Sequence, residues 1–281
     1  MATSLTPSGA QLPPPSGSPA PGLRPPPTAW PASTLPPPPP PPSRWGLGDV
    51  LIGAAVILGV ATLVGVVAVL IVGLPEAGDA TATAEALAEE PLVLVSSVLA
   101  QQVAMVGWVV WVARVKGRGV IEDFGFRFKW VDLAIGVAAA IAALVVTGVV
   151  VGAVASATGI EAVDNSDFIQ PSEQGLWIIP IGLMVVVGAP LSEELFFRGL
   201  VFRAAEKKWS TVVGIAFSTV VFALVHALTG ISAAENLILI LSIAVFGVAL
   251  AVVAAQYRRL GPAIVAHMAI NGFAFAAIVA G

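Results

Sequence analysis

Two adjacent carboxylates and an arginine interrupt a long apolar stretch of the sequence. Residues 190–202 read PLSEELFFRGLVF and contain Glu193, Glu194 and Arg198. Glu194 and Arg198 are spaced i,i+4, so on a helix they pair on one face, which makes a desolvated charge tolerable. Glu193 lies about 100° away around the helix and is left free. The spacing therefore predicts that the pair holds a site in which Glu193 is the reactive group.

Three more polar side chains lie in the apolar stretches that follow. His226 and His267 are the only histidines of the chain, and Asn271 is four residues beyond His267, on the same helix face. Glu193 and His226 are equally far from the basic turn at 207–208, roughly 20–25 Å along helices on either side of it. We expect all four groups to converge at one depth.

A less specific interpretation is available for each of these residues alone. A single intramembrane His or Asn often serves as a hydrogen-bonding group between helices. Ionisable groups in a membrane cost at least ~2.5–3.5 kcal/mol, however, and normally mark a pathway or reaction site. The conjunction of a free Glu, two His and an Asn favours a shared site. Gln101 and Gln102 either line the same cavity or simply bond between helices.

Composition places the chain in a membrane. It has 281 residues, of which 57% are hydrophobic and 11% charged, and the mean hydropathy is +0.95. Cysteine is absent, which excludes disulfides, thiolate metal sites and cysteine nucleophiles. The net charge of −4 argues against nucleic acid as a partner.

Apolar runs of about the ~20 residues that span a bilayer as a helix occur seven times. They cover residues 50–74, 91–113, 131–157, 176–207, 210–228, 236–256 and 262–280. Backbone groups in lipid must be satisfied internally, and the runs lack strand alternation, so the predicted fold is an all-α polytopic bundle of about seven spans. In the overlong fourth run, Gly188 and Pro190 predict a bend, and Ser192 predicts a cap of a restarted helix.

The chain divides into three predicted parts. Residues 1–45 are rich in Pro and include the run 36–42, so we expect a disordered or polyproline cytoplasmic tail, with a proline-recognising partner as the alternative. Residues 46–175 are predicted to hold three transmembrane helices, and 176–281 a catalytic core of four.

The basic residues predict the orientation. Alternating spans place every loop or span-end Lys and Arg on one side, and the other loops carry acidic residues only. The positive-inside rule then predicts a cytoplasmic N-terminus and an external C-terminus. The Ala/Val/Gly-rich composition suggests a bacterial plasma membrane.

The polar residues also form a known signature. The stretches EELFFR, FALVH and HMAIN supply, in order, Glu193, Glu194, Arg198, Phe222, His226, His267 and Asn271. They resemble the EExxxR, FxxxH and HxxxN motifs of the CPBP intramembrane endopeptidases, which include type II CAAX prenyl proteases and bacteriocin-processing proteins. The resemblance covers roughly residues 176–280. It implies a supporting role for Glu194, Arg198 and Phe222.

The resemblance further implies a reaction and a substrate class. Glu193 would activate the attacking water with help from His226, while His267 and Asn271 would stabilise the oxyanion. The substrate would be a peptide or a lipidated protein within the bilayer, and eukaryotic members trim the last three residues of prenylated proteins. The family has been described both as metalloendopeptidases and as metal-free glutamate proteases. If zinc is present, its expected ligands are Glu193, His226 and His267; we favour no cofactor.

Other classes of membrane protein fit less well. The zinc signature HExxH and a rhomboid-type serine motif are both absent, and GLGD at 46–49 precedes the first span, so we interpret it as a coincidence. The remaining alternative is a scaffold, an immunity protein or a transporter that uses the buried polar cluster without catalysis.

Overall fold

The computed structural model describes residues 43–73, 90–160, 169, 175–227 and 232–280. The predicted proline-rich tail lies outside these residues except for 43–45. Most of the acidic loops and Gly281 also lie outside them.

The described residues form helices and contain no strand. The helices are α1 (Leu47–Val72), α2 (Pro91–Lys116), α3 (Val120–Phe124), α4 (Val131–Thr158), α5 (Gly175–Lys208), α6 (Thr211–Leu224), α7 (Ala233–Tyr257) and α8 (Gly261–Ala280). All except α3 and α6 are long and apolar enough to cross a membrane, which gives six such helices among the described residues. The all-α class is confirmed, and α6 corresponds to the fifth of the seven predicted runs, 210–228, the one that the structure does not show as a helix of spanning length.

Helix α6 is shorter than its apolar run. It begins after Ser210, whose Oγ accepts a hydrogen bond from the Val213 amide at 3.3 Å, a helix N-cap. It ends at Leu224, because the backbone turns at Val225 and His226. The 14 residues of α6 reach only about 21 Å, which is shorter than the ~30 Å hydrocarbon core of a bilayer.

Large apolar side chains cover the outer surface of the helices. Leu51, Leu58 and Leu70 of α1 are 73%, 69% and 72% exposed. A water-soluble protein rarely leaves so continuous an apolar face unpaired. This surface matches a lipid environment.

Helix α5 contains two π-helical segments. Met184–Gly188 and Glu194–Val201 are π-helical, and the turn Ala189–Glu193 between them is α-helical. The predicted cap at Ser192 is wrong: its Oγ donates back to the carbonyl of Gly188 at 2.8 Å, because the helix continues through π turns instead of restarting. Single π turns are frequent at functional sites.

The helix ends that carry basic residues meet at one end of the bundle. Lys116, at the end of α2, contacts Asp49 at the start of α1 at 2.5 Å. Arg258, after α7, contacts Glu206 near the end of α5 at 2.7 Å. Because α8 also begins at this end and is 20 residues long, its C-terminus lies about 30 Å away.

Two connections fix the start of α8 at this basic end. The Arg259 side chain donates two hydrogen bonds to Oδ1 of the fully buried Asp132, which raises the pKa of Arg259. The backbone amides of Leu260 and Gly261 donate to the carbonyls of Gly125 and Arg127 at 2.8 and 3.2 Å. The helix that carries His267 and Asn271 is therefore held at its first turn.

Candidate active site

A cavity of about 780 Å³ lies among helices α2, α4, α5, α6, α7 and α8. Its walls are mostly apolar, and its polar members include Gln101, Gln102, Glu193, His226, Ser242, His267 and Asn271. Within the described part of the chain, the structure thus brings the four predicted catalytic side chains to one cavity. Its volume falls in the range of ordinary small-molecule and cofactor sites.

Glu194 and Arg198 form the ion pair that their spacing predicts. Nη1 of Arg198 donates to Oε1 of Glu194 at 2.9 Å, and both side chains are fully buried. Nη2 of Arg198 also donates to the carbonyl of Gly247 in α7 at 3.2 Å. The guanidinium lies 4.2 Å from the centre of the Phe222 ring, where a desolvated cation–π contact stabilises by up to ~2 kcal/mol. The pair links α5, α6 and α7.

His267 connects this pair to the cavity. Its Nδ1 lies 2.9 Å from Oε1 of Glu194, and since a carboxylate accepts, Nδ1 carries the proton of this hydrogen bond. Its Nε2 lies 3.8 Å from Oε2 of Glu193. Glu194 therefore orients the imidazole so that its other nitrogen points to the neighbouring carboxylate.

Glu193 has the opposite environment to Glu194. Its side chain is 18% exposed, and it lines the cavity. The rotation of about 100° between successive helical residues separates the two adjacent carboxylates in this way. Glu193 is the carboxylate that a molecule in the cavity would meet.

The FxxxH motif forms a local unit at the end of α6. Nδ1 of His226 lies 2.7 Å from the carbonyl oxygen of Phe222, which accepts its proton. In the neutral form of the ring, the lone pair is then on Nε2. Phe222 also stacks over Arg198 and lies edge-on to His267, with ring centres 6.1 Å apart. The phenylalanine of the motif thus joins the buried pair to both histidines.

Asn271 and Gln102 bind the first π-helical segment of α5. Nδ2 of Asn271 donates to the carbonyl of Val185 at 2.8 Å. Nε2 of Gln102 donates to the carbonyl of Met184 at 3.1 Å. Both glutamines that were predicted to line a cavity or to bond between helices line this one, and Gln102 also bonds between helices.

Sequence reasoning missed two contributors from α7. The Phe246 ring lies edge-on to His267, with centres 5.1 Å apart, and it lines the cavity. The adjacent Gly247 offers its carbonyl to Arg198 and packs closely against Phe222, because an added Cβ would lie 3.3 Å from Cδ1 of that ring. Neither residue belongs to a charged or recognisable pattern, so no signal in the sequence marked them.

The three residues named as zinc ligands do not form a metal-binding group. In the described ranges, no set of three His, Asp or Glu side chains is placed to hold a metal ion. Nδ1 of each histidine has a protein partner, a carbonyl for His226 and Glu194 for His267, but zinc-binding histidines have such partners too, so the placement of the three groups decides the question. These donors do not fit a zinc site as they are arranged, and the mechanism proposed below contains no metal step.

Comparison with protein families identifies the region that builds this cavity wall. Residues 175–273 match the Rce1-like type II CAAX prenyl endopeptidases. The match begins with α5 and reaches into α8, which confirms the resemblance carried by the three motifs. Searches of curated proteins and of solved structures gave no match.

The Rce1-like match supports an intramembrane endopeptidase of the CAAX class. Together with six helices of spanning length in the described residues, it makes the chain an integral membrane protein. The helices α1, α2 and α4 lie outside the Rce1-like region. One of them nevertheless contributes Gln102 to the cavity.

Proposed function

We propose that the protein hydrolyses peptide bonds of membrane-associated or lipidated protein substrates with a water activated by Glu193. One observation carries the proposal: Glu193 is the single carboxylate among the described residues that line the cavity, and it faces Nε2 of His267. A carboxylate held open to a cavity beside imidazole groups is suited to take a proton from water. The Rce1-like match supports the same reaction class.

The reaction needs one base and one stabilised oxyanion. Glu193 takes a proton from water as the water oxygen bonds to the carbonyl carbon of the scissile peptide. The tetrahedral intermediate collapses when the C–N bond breaks, and the proton passes from Glu193 to the leaving nitrogen. The products are a carboxylate and an amine. General base catalysis of this kind contributes typically ~10²–10⁴-fold.

The partners at Nδ1 give the two histidines different roles. The carbonyl of Phe222 accepts from neutral His226 and leaves a lone pair on Nε2, which orients the water with Glu193. We assign the doubly protonated ring to His267, in which Nδ1–H donates to Glu194 and Nε2–H donates to the oxyanion. Asn271 has a second amide N–H for the same oxyanion, since only one is bonded to Val185.

The cavity walls favour an apolar substrate group beside the peptide. Leu94, Val98, Met105, Ile243 and Phe275 contribute apolar surface around the polar residues. A lipid chain attached to the substrate would bury its surface there and gain about 25 cal/mol per Å². We therefore include lipidated, and in particular prenylated, peptides in the substrate class.

The proposed setting is a bacterial plasma membrane, with the basic end of the bundle in the cytoplasm. The residues from 176 onward form the catalytic core in this proposal. The three helices before it supply a wall of the cavity through α2 and α4. No part of the proposal uses the tail outside the described residues.

A pair of peptides tests the proposal. One carries a prenylated cysteine three residues before its C-terminus, and the other carries the same cysteine unmodified. We expect the purified protein to release the last three residues of the prenylated peptide, and to cleave the unmodified one at least about tenfold more slowly. If the folded wild type cleaves neither peptide, a non-catalytic scaffold becomes the better interpretation.

A further inference from the structure

Two backbone carbonyls of the segment Met184–Gly188 are bonded by side chains from other helices. In a π-helical ladder the carbonyl of Val185 would accept from residue 190, but Pro190 has no N–H. Nδ2 of Asn271 takes that place at 2.8 Å. The carbonyl of Met184 accepts from the Ala189 amide and also from Gln102.

Gln102 reaches this segment from outside the Rce1-like region. It lies in α2, its exposure is 8%, and Nε2 is 3.1 Å from the Met184 carbonyl. Its other amide atom packs against Gly188, where an added Cβ would lie 2.1 Å from Oε1 and 3.0 Å from Cδ. The amide therefore fits between a carbonyl it bonds and a glycine that leaves room for it.

The segment that Gln102 bonds continues directly into the turn that carries Glu193. Gly188 is followed by the α-helical turn Ala189–Glu193, which ends at the proposed base. A helical turn is stiff, so the orientation of its first residues sets the direction of its last. Ser192 ties the same turn back to Gly188 with a hydrogen bond of 2.8 Å.

We infer that Gln102 is a positioning residue for Glu193. It acts through the Met184 carbonyl and not by touching the reacting atoms. Together with Asn271 it fixes a segment whose own ladder is incomplete, and so holds the carboxylate within reach of Nε2 of His267. The expected effect of Gln102 on turnover rests on the proposed function. The expected effect of Gln102 on the order of residues 184–193 rests on geometry alone.

Two substitutions at Gln102 separate hydrogen bonding from packing. Gln102→Leu removes the donor and keeps the volume, and we expect kcat to fall about ten- to hundredfold, as for a small misplacement of a catalytic group. KM should stay within about twofold, since the lost interaction acts on the chemical step. Gln256→Leu is the matched control, because Gln256 is exposed in α7 and is not among the cavity residues.

Gln102→Glu gives a signature in pH that a loss of packing would not. A neutral carboxyl donates to the Met184 carbonyl, whereas an ionised one repels it, and burial favours the neutral form. The kcat of the variant relative to wild type should therefore be highest at acid pH and fall as pH rises. The same ratio for Gln256→Glu should be flat.

Hydrogen exchange tests the structural part without any turnover. Amides of residues 184–193 should exchange faster in Gln102→Leu than in wild type, with Gln256→Leu unchanged. If wild type cleaves no peptide, the proposed function fails while this comparison still stands. The inference is overturned if residues 184–193 exchange equally in both proteins, or if an active wild type loses no kcat in Gln102→Leu and Gln102→Glu gives a flat pH ratio.

Discussion

At the scale of single residues, two neighbouring glutamates have different partners and different access to the cavity. Glu194 is fully buried and accepts from both Arg198 and His267 at 2.9 Å. Glu193 is 18% exposed and has space on its cavity side. A buried charge is tolerated when it is paired, whereas a base must be reachable by its substrate. These surroundings support the proposed roles, in which Glu194 is structural and Glu193 is the base.

Stability should respond to Glu194 far more than to Glu193. Glu194→Gln leaves Arg198 desolvated without its counter-charge, and breaking a buried pair costs ~3–5 kcal/mol. In Glu194→Gln/Arg198→Met no lone charge stays buried, so part of the loss should be recovered. Thermal melts in detergent measure all variants, with Glu193→Gln as the matched control. The assignment is reversed if Glu193→Gln proves the least stable of them.

Metal removal tests whether Glu193, His226 and His267 act as metal ligands. Since His226 and His267 form no metal-binding group with Glu193 among the described residues, we expect turnover to survive exhaustive chelation. Elemental analysis of the purified protein should show no stoichiometric zinc. Loss of turnover that zinc alone restores would reassign Glu193, His226 and His267 as ligands.

At the scale of elements, the start of α8 determines where its polar residues lie. Gly261 is packed so closely that an added Cβ would lie 2.2 Å from Oδ2 of Asp132 and 2.8 Å from the Arg127 carbonyl. The Asp132–Arg259 pair is in the same contact. His267 lies less than two turns further along α8, so a shift at Gly261 would displace it from Glu194.

A glycine substitution tests this anchoring. Gly261→Ala must move backbone as well as the buried carboxylate, and we expect a loss of about 1–3 kcal/mol with reduced turnover. Gly148→Ala in α4 is the control, because nothing lies within 4 Å of its added Cβ, and it should stay within about 1 kcal/mol of wild type. Melts and peptide cleavage are compared for the two variants. Equal behaviour would show that the contact at Gly261 does not hold α8.

Sequence periodicity predicted some of these features and not others. The spacing of Glu194 and Arg198 predicted their pairing, because that contact lies within one helix. The hydrogen bond between Glu194 and His267 joins two helices. The spacing of residues within one helix does not determine how that helix is rotated relative to another. Ser192 was misjudged for a related reason: a proline in a helix permits either a restart or a π turn, and Asn271 on another helix bonds the Val185 carbonyl that Pro190 cannot.

At the scale of the whole molecule, the basic helix ends of the described residues meet at one end of the bundle. The basic helix ends that the sequence assigned to one side contact acidic partners there, as in Lys116–Asp49 and Arg258–Glu206. The first and last helices, α1 and α8, both begin at this end. A chain with its N-terminus on the basic side therefore finishes α8 on the opposite one.

Topology in the cell is tested with single cysteines, which the native chain lacks. One is placed at Ser8 and one at Gly281, and intact cells are treated with an impermeant thiol reagent. The positive-inside rule predicts labelling at position 281 and none at position 8 until the cells are lysed. Labelling at position 8 alone would invert the proposed orientation.

The most direct test of Glu193 as the base is cleavage of the prenylated peptide by Glu193→Gln. This substitution keeps the volume and most hydrogen bonding of the side chain but cannot take a proton. We expect its melting temperature to match wild type and its turnover to fall by at least about 10²-fold. Near-normal turnover in Glu193→Gln, with none in a folded Glu194→Gln, would contradict the assignment and make Glu194 the base.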